Sequence, residues 1–290
     1  MRPPAESWPT CRAPRGEDKT DYAGGVLKEP GQAFFPVDVV AGLQNGQTLD
    51  TTLDGRAPRK IAGAVITDKA KCGERCTVRD ALAKSSNVVM YDLVVNKIGM
   101  PRTAAAARQA GVPEAVVIGG EEKKLLVGED GGTPNGGLSL GLDTAQMRPL
   151  DLTTVYATFA AGGVHHKTHF VTKVTDEAGN PLYQSTKSTA SAFHPDSAKS
   201  KAIADQVTTV LKDNTLCPNA VCRAAEHDLP ASTAIGETSH AWTVGYTDRM
   251  AITVMVGSAD ASKPANDSTG APVRGTGLPK TVWQRFVERI

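Results

Sequence analysis

The chain has 290 residues, with 32 Lys and Arg against 31 Asp and Glu, for a formal net charge of +1. That balance excludes the strong single-sign field that draws a protein to nucleic acid or to an anionic membrane, and no apolar run reaches membrane-spanning length. Aromatics make up only 5% of residues while Gly and Pro number 28 and 18, which suits a loop-rich α/β domain with a sizeable core better than a helical bundle.

The opening Met1-Arg2-Pro3-Pro4-Ala5-Glu6 is polar and lacks the apolar centre of a signal peptide. Residues 1–30 show no periodicity and read as loop. Val37 to Leu43 is apolar and ends at Asn45-Gly46, predicting a short helix and a turn. Thr48 to Ile66 carries short alternating segments. Thr77, with Asp80 three residues on, can cap a helix extending toward Ile98. Leu82, Val89, Leu93 and Val94 give that helix an apolar face, and Ser85-Ser86-Asn87 predicts a break within it. Pro101 to Ala110 predicts a helix stopped by Gly111, and Pro149 to Ala161 one stopped by Gly162-Gly163. Between them, Glu121-Glu122-Lys123-Lys124 reads as an exposed loop.

His169 to Thr175 alternates as a strand, turns at Glu177-Ala178-Gly179-Asn180 and returns through Leu182-Tyr183. Pro195 to Leu211 is a further helix. Ala241 to Thr247 and Met250 to Val256 read as strands joined at Asp248-Arg249, with Trp242 and Tyr246 on one core-facing side. Asp260 to Gly277 is a polar loop, and Pro279 to Ile290 an amphipathic helix. The pattern predicts an α/β (α+β) fold, an antiparallel sheet flanked by helices.

The cysteines add a constraint. Cys72 pairs in spacing with Cys76, and Cys217 with Cys222, while Cys11 stands alone. Two local disulfides, and so an oxidising compartment, fit these spacings better than a four-cysteine zinc site with its tighter knuckles. His165-His166-x-x-His169 has no acidic partner nearby in sequence and reads as a solvated turn rather than a metal site. No cofactor is expected.

Five segments, in order, resemble landmarks of the transpeptidase domain of class A penicillin-binding proteins. Residues Pro30 to Pro36 (PGQAFFP) resemble the family's PGSTFKP stretch, and Ser85-Ser86-Asn87 its S-x-N segment. Pro149 to Gly163 resembles the PLD…YATFANGG helix, and His169 to Val174 the strand after it. Ala241 to Thr247 resembles AWFVGYTP, which follows the K-T-G motif. The resemblance implies a transpeptidase-like domain over residues 25–290, an irregular segment over 1–24, and an N-terminal strand missing or replaced. It also implies an extracytoplasmic piece cut from a larger anchored protein that carries a glycosyltransferase domain upstream.

In the family a Ser attacks, a Lys one helical turn later takes its proton, the S-x-N pair relays protons and binds the substrate amide, and the K-T-G lysine supplies charge. Here Gln32 stands at the nucleophile position and Phe35 at that of the base. An amide does not accept an acyl group under ordinary conditions and a phenyl ring takes no proton. Losing nucleophile and base together costs on the order of a millionfold in rate. Ser85 and Asn87 either face the cleft or merely cap a helix end, and both readings stand. The K-T-G-T position reads Ala234-Ile235-Gly236-Glu237-Thr238. Gly236 still permits close backbone approach, and Thr238 survives. Glu237 brings an anion where a cation is expected, and a lost charge-assisted hydrogen bond costs roughly 1.5–3 kcal/mol.

The expected ligand set is therefore Ser85, Asn87, Gly236, Glu237 and Thr238. The expected function is that of an inactive cell-wall domain binding a peptidoglycan stem peptide or a cell-wall synthesis protein, with no nucleic acid and no membrane contact. Two alternatives remain: an active D,D-transpeptidase or carboxypeptidase with Ser85 as a substitute nucleophile, and an interaction module whose cleft Phe35 plugs.

Overall fold

The structure is a computed structural model and describes residues 20–186, 188–212, 217, 220–228, 238–258 and 262–289. A short helical turn, Gly31–Phe34, runs directly into α1 (Phe35–Gln44), which ends at Asn45 as the apolar run predicts. Four short strands follow: β1 (Thr52–Gly55), β2 (Arg59–Ile61), β3 (Ala64–Ile66) and β4 (Gly73–Thr77). β1 pairs with β4, and β2 with β3.

The Thr77 hydroxyl accepts from the Asp80 amide at 3.0 Å and so starts α2 (Val78–Lys84). The predicted break is real. Ser85 ends α2 in the left-handed region with φ 63°, a conformation that costs a non-glycine residue about 1–2 kcal/mol. Ser86 then caps α3 (Asn87–Asp92), which continues as a π-helical turn, Leu93–Ile98.

Next come α4 (Met100–Gln109) and the hairpin β5 (Ala115–Ile118) and β6 (Glu121–Lys124). The expected loop at Glu121–Lys124 is thus an exposed strand. Gly119 and Gly120 both have positive φ, the geometry that two-residue hairpin turns demand, and the charged strand pairs without being buried.

α5 (Pro149–Ala160) leads to β7 (Val164–His166), β8 (Lys173–Thr175), β9 (Pro181–Gln184), β10 (Thr189–Ser191) and α6 (Ser197–Lys212). His165 and His166 therefore lie in a strand paired with β10, not in a solvated turn, and burial pulls the His165 imidazole pKa down. The strand expected over 169–175 is shorter, because β9 offers partners only to Lys173–Thr175. Among the described residues no group of three His, Cys, Asp or Glu side chains is arranged to hold a metal ion.

The main sheet runs β11 (Val221–Asp228), β12 (Thr238–Tyr246) and β13 (Ala251–Gly257), all antiparallel, and the last helix is α7 (Leu278–Val287). Strand alternation assigns its two faces. Thr253 receives a hydrogen bond from Thr153 of α5 at 2.7 Å, while Ile252 receives one from the Trp283 indole of α7 through its carbonyl at 3.1 Å. α5 and α7 therefore sandwich the sheet, and α6 is tied to the end of β12 through the hydroxyls of Thr208 and Tyr246, 2.7 Å apart. Trp242 and Tyr246 both lie on the α5 face, in the core. Register puts Arg223 beside Val244 and Thr253, so its side chain enters that same face. The expected disulfides, Cys72–Cys76 and Cys217–Cys222, are both formed, the second under Trp283. Cys11 lies outside the described residues.

Candidate functional site

The start of α1 is pinned from outside the helix. The Gly31 amide donates to the Gly141 carbonyl at 2.9 Å, and a Cβ on Gly141 would overlap the Gly31 carbonyl oxygen. Only glycine permits that approach, and it presents Gln32 to the α2–α3 break. The Gln32 carboxamide donates from Nε2 to Asn87 Oδ1 at 3.0 Å and to the Ser85 carbonyl at 3.4 Å. Asn87 Nδ2 in turn donates to the Thr67 carbonyl at 3.3 Å. Gln32, Ser85 and Asn87 line one cleft of about 460 Å³, with Asp68, Lys69 and Lys84 at its polar wall. The two readings of the serine cluster coexist, since Ser85 both closes α2 and lines the cleft. Ser86 is the helix cap and also donates to Asp68 at 2.6 Å, while Ser85 and Asn87 face the cleft.

Phe35 does not plug this cleft. It is fully buried behind it, and the Arg223 guanidinium lies 5.4 Å from its ring centroid, within cation–π range. Arg223 is itself 2% exposed. Its Nε donates to the Gln32 carbonyl at 2.7 Å, Nη1 to the Leu82 carbonyl at 2.7 Å and Nη2 to Ser85 Oγ at 2.8 Å. One buried fork thus ties the nucleophile-position segment to the α2–α3 break. Residue 234, where a cation was expected to be lost, lies outside the described residues; the cation that reaches Ser85 is Arg223 of β11, from behind the wall.

Its counter-charge is Asp38, on α1 one turn past Phe35. Asp38 is fully buried, and neither carboxyl oxygen has a hydrogen-bond partner among the described residues. Burial drives its pKa well above the usual carboxylate range, and Arg223 opposes that rise. Burial likewise pulls the Arg223 pKa down, offset by Tyr156 and Asp38, yet a guanidinium stays charged at any ordinary pH. Burial also raises the pKa of Tyr156, whose hydroxyl donates to the Ala33 carbonyl at 3.0 Å.

Of the other expected ligands, Gly236 and Glu237 lie outside the described residues. Thr238 is buried, and its hydroxyl donates to the Val273 carbonyl at 2.6 Å. Arg223 and Asp38 were missed in the sequence. Each is a lone charge in an apolar run, Val221-Cys222-Arg223-Ala224-Ala225 and Val37-Asp38-Val39-Val40, and strand alternation points the first inward.

Chemically, the arrangement presents fixed donors and acceptors to a ligand. An arginine only donates, so Ser85 Oγ accepts from Arg223 and keeps its own proton to donate into the cleft. Arg223 cannot take that proton.

Residues 28–274 match the family model for the penicillin binding protein transpeptidase domain. The chain is 34% identical to penicillin-binding protein 1A of Mycolicibacterium smegmatis over 92% of its own length and 34% of the relative's. Against penicillin-binding protein 1A of Mycobacterium tuberculosis it is 32% identical over 92% and 33%. It thus spans about a third of the length of these relatives. Among solved structures, the penicillin-binding protein PonA1 of M. tuberculosis superposes with a TM-score of 0.82 at 27% identity, over 96% of this chain and 71% of that one. PonA1 has also been solved in complex with penicillin V, with a TM-score of 0.79 at 28% identity over 93% and 71%.

Proposed function

We propose a function from the premise that the chain belongs to the penicillin-binding protein transpeptidase domain family. It serves the peptidoglycan machinery outside the cytoplasm as a domain that keeps the fold and the cleft but not acyl transfer. The cleft takes a peptidoglycan stem peptide without forming a covalent bond to it. Docking of a cell-wall synthesis protein at the same cleft is the alternative occupant.

The observation that carries this reading is the pairing of Gln32 with Asn87 and Ser85 where a nucleophile belongs, with Phe35 beneath Arg223 where a base belongs. Such a wall binds and does not attack. The Arg223–Ser85 contact also counts against Ser85 as a substitute nucleophile, because the group holding its oxygen cannot accept a proton. An open cleft with Phe35 outside it counts against the plugged-module reading.

The test pairs two probes. Fluorescent penicillin should leave no boiling-resistant band, while a pentapeptide stem ending in D-Ala-D-Ala should bind saturably. Ser85→Ala with Asn87→Ala should weaken peptide binding about tenfold or more, the sum of two lost hydrogen bonds. A stoichiometric penicillin band overturns the inactive reading, and no peptide binding at millimolar concentration overturns the ligand.

A further inference from the structure

A second concavity sits at the other end of α1 from Gln32 and shares no lining residue with the cleft. It is about 610 Å³ and lies between the C-terminal end of α1, α4 and the first half of α6. Its apolar lining is Leu43, Phe193 and Ile203, and the rest includes Arg102, Lys199 and His194, with no Asp or Glu. Arg102 and Lys199 are both exposed. Arg102 makes one long bond, 3.3 Å, to the Ile98 carbonyl, and neither cation has an ion-pair partner among the described residues.

The acid on the same segments is Asp196, which feels the charge of Lys199 from the rim but makes no ion pair with it within 4 Å. Its carboxylate accepts from the amides of Ala198 and Lys199 at the head of α6, which hold its pKa below the usual carboxylate range. Further along α6, Asp205 is paired with Lys201. His194 Nδ1 faces the Asp196 amide at 2.9 Å and must accept from it, so its proton sits on Nε2 as a donor.

The concavity also carries amide chemistry. Gln44 Nε2 donates to Gln109 Oε1 at 2.7 Å and to the Phe193 carbonyl at 2.8 Å, leaving the Gln109 amide protons as donors. Asn45 Nδ2 donates to the Ala41 carbonyl at 2.7 Å, leaving its own oxygen as an acceptor. A peptide backbone needs both a donor and an acceptor, whereas a lipid headgroup or a free anion does not.

We infer that this concavity docks an acidic peptide segment of a partner protein, with carboxylates at Arg102 and Lys199 and an apolar side chain on Leu43, Phe193 and Ile203. In a chain whose net charge is only +1, two exposed cations around one apolar floor, with a single acid at the rim and none in the lining, are a local excess that a carboxylate pair complements. The inference does not depend on what the cleft binds.

The experiment is an amide chemical-shift titration of the whole chain with an acetylated hexapeptide that alternates glutamate with leucine and phenylalanine. Counterparts with glutamine or lysine in place of glutamate serve as controls. Saturable shifts should fall on residues 43–45, 102–109 and 193–203. The glutamine peptide should bind about tenfold more weakly, and so should the acidic peptide to Arg102→Glu with Lys199→Glu. Both positions are exposed, so that variant should fold, and charge reversal at the distant exposed Lys60 should leave affinity unchanged. The inference is overturned if the lysine peptide binds as well, or if the reversal at residues 102 and 199 changes affinity by less than about twofold. It is also overturned if these amides respond only to anionic vesicles or to raised concentration of the chain itself.

Discussion

The wall formed by Gln32, Ser85 and Asn87 has a wet side and a dry side, and they are built differently. On the wet side, the Gln32 carboxamide bonds the Asn87 side chain at 3.0 Å and the Ser85 carbonyl at 3.4 Å along an open cleft, and Lys84 stands exposed at its edge. On the dry side, Arg223 makes three bonds of 2.7–2.8 Å and stacks on Phe35, with Asp38 as buried counter-charge. The front can lose its chemistry and remain a surface. The back cannot lose its cation without leaving two carbonyls and a hydroxyl without their donor and Asp38 without the charge that offsets its burial. The shape of the cleft therefore depends on a residue that lies behind its wall and not in its lining.

The largest effect should come from removing that cation. Arg223→Met should cost about 3–5 kcal/mol in urea unfolding, as for other buried charges stripped of a partner. Arg223→Lys should recover only part of it, since an ammonium cannot reproduce the planar fork. A loss below about 1 kcal/mol would mean that the two sides do not differ as described.

Ser85→Ala touches both sides at once. It removes the oxygen that accepts from Arg223 and should cost about 1.5–3 kcal/mol, the range for hydrogen bonds to charged groups. Asn87→Ala, which loses only cleft-side bonds, should cost about 1 kcal/mol. Equal losses would erase the distinction.

Asp38 sharpens the comparison through pH. Burial raises its folded pKa above the unfolded value of about 3.9. Its contribution to stability is therefore complete below that unfolded value and is lost as pH rises through the folded one. Asp38→Asn should flatten the decline of stability as pH rises above about 4, with the smallest difference from the parent at the acid end. Parallel stability curves for the two proteins would show that Asp38 does not titrate there.

Much of the scaffold was legible because its causes are local. The Thr77 cap, the Ser85–Asn87 break and the Pro-led start of α5 depend on neighbours in sequence. The Trp242 and Tyr246 pair follows from alternation along a single strand. The hairpin at Glu121–Lys124 was hidden because its charged residues pair by backbone alone, and the Gly119-Gly120 turn was the signal to weigh. Gln32 and Phe35 were singled out in the sequence by their place in the resemblance alone. What packs behind them was not legible, because Arg223 lies 191 residues from Gln32 and only the folded sheet brings them together. Asp38 was passed over because the apolar periodicity around it outweighed one charge.

The most direct test is the intact mass of the wild-type chain after prolonged incubation with excess penicillin V, alongside Gln32→Ser. Both should keep their unmodified mass, because restoring a hydroxyl at residue 32 leaves Phe35 where a proton acceptor is needed. A stoichiometric adduct on the wild type, mapped by peptide digestion to Ser85 or any other hydroxyl of the cleft, would contradict the central claim.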